Sequence, residues 1–293
     1  MNKKIIIQYG LSEKRLAPLF IGAKKVGLDI DYFSYYAESR FLDDFPEDFN
    51  DYESLVFATI PVLLYIKKED PNVYKNILDY DKFNNTMKEM TYSDFLINCE
   101  QEVISEKIKE NKIPYLPMLN EDAKILSMSD LKGKVFDQEM FLKPNSAYKE
   151  FLGKTTLPNE SFEDFLVRNK YCGKEVEVML APSYSIHSEY RFFVYDDNVA
   201  TGSSYIVNGK YDVNYQVPEI VLNEAKRIAK LYQPTKCFTL DLCLLNNGDV
   251  KIVEYNHFSA SGVYSCEMDK VFDYFKNDTQ YIKNVSRIKH SYK

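Results

Sequence analysis

The chain has 293 residues, enough to bury a substantial core in one or two domains. Hydrophobic residues make up 45% and charged residues 28%, an ordinary balance for a folded protein, and the net charge of −7 gives no general attraction to nucleic acid or an anionic membrane. Five cysteines without a Cys-x-x-Cys spacing and three scattered histidines argue against a disulfide framework and a zinc site, so we expect reduced thiols in a cytoplasm.

The opening "MNKKIIIQYG" has too short an apolar segment for a signal peptide. "KIIIQY" reads as a strand, "SEKRLAPLFIGAKKVG" as a helix ending at Gly27, and "DIDYFSYY" and "ESLVFAT" as two further strands. This order predicts a small, partly parallel α/β unit over residues 1–95, without the G-x-G-x-x-G of a dinucleotide site. The apolar stretch "LVFATIPVLLYI" is broken by Pro61 and too short to span a membrane. "SDFLINCEQEVISEKIKEN" predicts a helix capped by Ser93, with Leu96, Cys99, Val103 and Ile108 at helical spacing. Residues 115–180 mix short strands with one helix, "SFEDFLVRN", whose Ser161 and Asp164 form a capping-box pattern. Strands "EVEVML", "SEYRFFVY" and "NVATGSSYIV" follow, then a helix "PEIVLNEAKRIAKLY", a hairpin and a last helix near "CEMDKVFDYFKN". The basic tail "KNVSRIKHSYK" reads as a solvated terminal face. The sum is α+β, with a mostly antiparallel second part.

The hairpin "FTLDLCLLNNGDVKIVEYNHFSASG" carries two acids, Asp241 and Glu254, inside apolar runs. Asn247-Gly248 signals a two-residue turn with both residues at positive φ, which would pair Asn246 with Asp249 and Asp241 with Glu254. Asn256 would then share their face. Two carboxylates placed opposite each other repel, more so when buried. Isolated acid pairs on strands usually face solvent; here the flanks are apolar on both faces. Two carboxylates and an amide oxygen suit Mg²⁺, with Mn²⁺ as an alternative. On this reading, removing either acid in the absence of metal should leave the fold intact or stabilise it.

Upstream, "FLKPNSAYKEFLGKT" offers Lys143 at a strand end and Lys149 in a loop closed by Gly153, both suited to phosphate oxygens. In "SEYRFFV", Glu189 and Arg191 share a face. Taken in order, lysine, loop lysine, apolar strand "VMLA", Glu-x-Arg and Asp…Glu-x-Asn resemble the ATP-grasp superfamily. "FLKP…KEFLG…SEYRFFV…GSSY…LDLCLL…VEYNHFSASGVY" resembles a phage and bacterial ATP-grasp clade with Arg or Lys before Pro and a Ser-Gly segment after the metal Asn. The resemblance covers roughly residues 96–270.

The resemblance implies an ATP-grasp domain over 96–293, with a lid subdomain near 115–180 and an antiparallel core sheet, preceded by a pre-ATP-grasp-like α/β domain over 1–95. It implies ATP bound at Lys143, Lys149, the Val178, Met179, Leu180 and Ala181 backbone, Glu189 (ribose) and Arg191. Metal would sit on Asp241, Glu254 and Asn256. Ser259, Ser261 and Gly262 would meet substrate, and Arg191 and Lys149 would stabilise charge during catalysis. The implied activity is an ATP- and Mg²⁺-dependent carboxylate–amine ligase working through an acyl phosphate, on small-molecule or peptide substrates and not on nucleic acid. An ATP-grasp kinase and a non-catalytic nucleotide-binding module remain as alternatives.

Overall fold

The computed structural model describes residues 3–36, 41–43, 53–59, 62–63, 108–112, 114–145, 150–234 and 236–278. The chain divides into two compact units. One takes Met1–Lys88, Ser188–Asp241 and Asn256–Lys293, the other Glu89–His187 and Leu242–Tyr255. Lys149, Cys99, most of the helix expected from Ser93 onward and the basic tail lie outside the described residues.

The first unit begins with β1 (Lys3–Gln8), α1 (Glu13–Val26), β2 (Asp29–Tyr36), β3 (Phe41–Asp43) and β4 (Glu53–Phe57). The sheet order is β3-β2-β1-β4, with β1 parallel to both β2 and β4 and β3 antiparallel at the edge. Ile5, Ile6 and Ile7 of the central strand are all fully buried, as a strand covered on both faces requires. Helix α1 stops at Gly27, as its sequence predicts.

The second unit supplies β5 (Lys124–Ser127), α2 (Met128–Leu131), β6 (Val135–Phe136), β7 (Met140–Pro144), β8 (Lys154–Thr155), β9 (Glu160–Ser161), α3 (Phe162–Arg168) and β10 (Glu177–Pro182). An antiparallel sheet runs β5-β10-β7-β8. Its core joins Leu142, Val178 and Leu180 to Phe162 and Phe165 of α3. At the start of α3, the Asp164 amide donates to Ser161 Oγ at 3.0 Å, satisfying one of the helix's open donors.

The chain continues through β11 (Ile186–Tyr195), β12 (Asn198–Val207), β13 (Lys210–Asn214), α4 (Glu219–Leu231), β14 (Cys237–Leu245), β15 (Val250–His257), a single 3₁₀ turn at Phe258–Ala260, and α5 (Met268–Asn277). The strands form one sheet in the order β13-β12-β11-β14-β15; the last two leave the first unit after Asp241 and return at Asn256. Within the first unit, Ile5, Ile7, Leu19 and Phe57 share one core with Phe193, Phe258, Phe272 and Phe275. Phe258 is its pivot, 5.1 Å from the Phe57 ring and 5.3 Å from that of Phe193.

The turn between β14 and β15 departs from the sequence expectation. Gly248 N donates to Leu245 O at 2.9 Å and Leu245 N donates to Asp249 O at 2.8 Å, so the loop has three residues, Asn246, Asn247 and Gly248. Within it Gly248 alone has positive φ, at 92°. The Asn side chains account for the difference. Asn247 Oδ1 accepts from Asp249 N at 3.0 Å, and Asn246 is tied to Ser185 through N–H···O (3.0 Å) and Nδ2–H···Oγ (2.6 Å). The closing pair is therefore Leu245 with Asp249, one residue away from the expected register. Facing of Asp241 by Glu254, counted from a two-residue turn, loses that basis.

Candidate active site

Asp241 is fully buried in β14, and its partner is an arginine. Arg191 on β11 grips it with a fork, Nε to Oδ1 at 2.8 Å and Nη2 to Oδ2 at 2.6 Å. The side chains are 9% and 1% exposed. This two-point geometry is the strong form of the carboxylate–guanidinium pair. It also corrects the expectation that Asp241 sits as an uncompensated negative charge in the absence of metal.

Around this pair the first unit gathers further polar groups. Asn256 Nδ2 lies 3.4 Å from Asp241 Oδ2, so two of the three expected metal-site residues meet. Arg191 Nη1 donates to Gly262 O at 3.4 Å. Tyr205 donates to Glu189 Oε2 at 2.6 Å and lies 3.5 Å from Asp241 Oδ2. It gets there because β12 carries an extra residue at this point: Glu189 faces Ile206 and Tyr190 faces Ser204, leaving Tyr205 as the bulge. Its ring stacks on Tyr264 at 5.0 Å, and the Arg191 guanidinium sits 5.1 Å and 5.8 Å from the Tyr264 and Tyr205 centroids. Tyr264 holds φ at 47°, an unusual conformation for a bulky residue.

The segment after β15 is stitched into place. Thr239 and Ser261 hydroxyls meet at 2.9 Å, Ser265 N donates to Ser203 Oγ at 3.3 Å, and Glu267 N donates to Thr201 Oγ1 at 2.9 Å. Ser259 and Ser261 are buried. Ser259 O accepts from Ala58 N at 3.1 Å and from Arg15 Nη2 at 2.5 Å. Arg15 was invisible to sequence reasoning: it is one cation on an amphipathic helix, 244 residues from its acceptor. Burial and the neighbouring charge of Arg191 push its guanidinium down to about 10. The Cys266 thiol, within 3.8 Å of Arg191 O, is pushed up to about 12 by burial and is thereby no nucleophile.

The other nucleotide candidates belong to the second unit. Lys143 on β7 lies directly across from Met179 on β10; Val178, Leu180 and Ala181 pair with Pro144, Leu142 and Phe141. Lys143 and the Val178–Ala181 backbone are thus brought together. Gly153 is packed against the same place, where a Cβ would stand 2.8 Å from Phe141 Cζ and 3.0 Å from Lys143 Cβ. Glu254 is half-buried on β15, in the part of the hairpin assigned to the second unit.

Among the described residues no three or more His, Cys, Asp or Glu side chains converge as a metal cage. The donor chemistry of Asp241 and Asn256, one carboxylate and one amide meeting, still fits Mg²⁺, which takes one or two protein carboxylates and completes its shell with water and phosphate. No described helix is long and apolar enough to cross a membrane.

The fold is an ATP-grasp fold. A family model for the ATP-grasp domain of the "R-two-K" clade, family 2, matches residues 124–274, more than half of the chain, and the chain belongs to that family. Solved structures agree at the level of fold. D-alanine–D-alanine ligase from Bacillus anthracis has a TM-score of 0.52 at 15% identity, covering 97% of this chain and 95% of that one. The macrocyclase MdnC of Microcystis aeruginosa MRC, bound with precursor peptide MdnA, has a TM-score of 0.53 at 10% identity, covering 94% and 100%. A RimK domain ATP-grasp protein from Sphaerobacter thermophilus has 0.52 at 11%, covering 92% and 98%. No curated protein matches the chain in sequence.

Proposed function

We propose that the protein is an ATP- and Mg²⁺-dependent carboxylate–amine ligase that activates its carboxylate as an acyl phosphate. One observation carries the reading: in a chain of this family, Arg191, Asp241 and Asn256 converge from three strands of one sheet. Catalysis of this kind is mostly positioning and charge stabilisation, which cations and hard oxygen donors supply.

In this reading Lys143, Lys149 and the Val178–Ala181 backbone hold the nucleotide, and Glu189 takes a ribose hydroxyl. Asp241, Glu254 and Asn256 would hold Mg²⁺, which would supply neutralisation of phosphate charge. Arg191, here the counter-ion of Asp241, turns its charge to the transferred phosphoryl group and the tetrahedral centre. Residues 258–262 line the substrate side, and residues 1–95 act as the pre-ATP-grasp domain. The fold neighbours include a D-alanine–D-alanine ligase and a macrocyclase bound with a precursor peptide, so the substrates we favour are amino acids or peptides.

The test is mass spectrometry of small molecules and peptides incubated with the protein, Mg²⁺ and ATP. ATP-dependent condensation products with ADP release are expected. A stable phosphorylated product without amine incorporation would make it a kinase, and nucleotide binding without turnover on any acceptor would overturn catalysis.

A further inference from the structure

Among the described residues, Arg15 is a cation without a counter-ion. It stands in the first turn of α1, and its Nη2 donates to two backbone carbonyls, Ser259 O at 2.5 Å and Ala58 O at 3.4 Å. Neither acceptor carries a charge. Its Nε is buried and has no hydrogen-bond partner among the described residues. The charged group that acts on it is a second cation, Arg191, whose own fork is spent on Asp241. The two guanidiniums share one short segment: Arg15 bonds the carbonyl of Ser259 and Arg191 that of Gly262. A half-buried charge without a counter-ion and a buried donor without a partner are both costly, and an anion would relieve both. Ala58 follows the carboxyl end of β4, next to parallel β1, the edge at which open sheets of this kind receive ligands.

We propose that Arg15, with Arg191 beside it, receives the carboxylate of the substrate. One uncompensated guanidinium matches one planar monoanion, and the unpartnered Nε supplies the directed donor. The inference rests on the ligase reading for the substrate's identity, but the anion site can be tested apart from it.

The experiment uses the full chain, with Arg15→Gln and Arg15→Lys. The probes are free and N-acetylated amino acids, and inorganic phosphate, each against chloride at equal ionic strength. Binding is read by calorimetry and thermal melting, and the Arg15 Nε–H resonance is followed by NMR. At least one carboxylate is expected to bind the wild type and shift that resonance. Arg15→Gln should weaken carboxylate binding about tenfold or more, the loss of one charge-assisted hydrogen bond, with Mg²⁺-ADP affinity unchanged. Arg15→Lys should retain part of the binding.

No carboxylate binding to the wild type, or equal binding to Arg15→Gln, overturns the proposal. So does a selective loss of Mg²⁺-ADP or phosphate affinity in the variants, which would make Arg15 a phosphate ligand. Should Arg15→Gln fail to fold, the wild-type resonance and Arg15→Lys decide. A wild type that binds carboxylate at Arg15 but never Mg²⁺-ADP sinks the ligase reading and leaves the anion site standing.

Discussion

Replacing Asp241 by alanine removes the counter-ion of a guanidinium that is largely shielded from water. Charge repulsion between Asp241 and Glu254 alone would make that change neutral or stabilising without metal; the Arg191 fork reverses the sign. Exposed pairs of this type contribute at most about 1 kcal/mol, but breaking a buried one at a single end costs about 3–5 kcal/mol. The 9% and 1% exposure of the two side chains puts this pair in the second class. Arg191 keeps Gly262 O and the faces of Tyr205 and Tyr264, which favours the lower part of that range. With a urea slope of roughly 2–3 kcal/mol/M, the unfolding midpoint should fall by about 1–2 M. The assay is urea denaturation in chelator, without nucleotide, comparing Asp241→Ala and the Arg191→Met/Asp241→Leu pair with wild type. The double variant should recover most of the loss, because neither charge is left buried alone. A single variant as stable as wild type, or more so, would refute the account.

Other outcomes are as specific. Tyr205→Phe should cost about 1–3 kcal/mol through the lost bond to Glu189 while keeping the stack on Tyr264, measured by the same denaturation. Gly153→Val should weaken nucleotide binding by forcing Phe141 and the Lys143 stem aside, which calorimetry with Mg²⁺-ADP would register. Glu160 is held below its usual value of 4.5, chiefly by hydrogen bonds from Arg168. Its stabilisation is therefore complete above that value and lost as pH falls through the lower folded one, and Glu160→Gln should flatten this acid limb in thermal melts. Alkylation at mildly alkaline pH should mark the exposed Cys172 and spare Cys266, by peptide mass mapping.

The elements were largely legible because their signals are local. Continuous Ile runs, the Gly27 stop and the Ser161 cap each act within a few residues, and the strands at 3–8, 29–36 and 198–207 follow their apolar patterns. What escaped sequence reading is non-local. Asp241 and Arg191 are 50 residues apart, and nothing in "TLDLCLL" reports that its acid has a cationic partner. Asn247-Gly248 misled for a different reason. The same dipeptide serves a three-residue loop once the Asn side chain bonds the following amide, and Asn246 is held by Ser185, 61 residues away. Of the site residues, Lys143 with Val178–Ala181, and Arg191 with Asn256 at Asp241, come together; Arg15 carried no sequence signal, and Tyr205 and Tyr264 entered only as the last residues of the resembling segments "GSSY" and "VEYNHFSASGVY", with no role.

The extra residue in β12 makes the site sensitive to chain length in a way that point changes do not reveal. Tyr205 meets Glu189 because the strand is one residue longer than its partner there. Deleting any one position from Ser203 to Val207 would erase that surplus and re-register what remains, turning a neighbour's side chain toward Glu189. Swapping side chains along this strand should thus be forgiven far more often than losing or gaining a residue, and natural variants that keep the chemistry should keep the count.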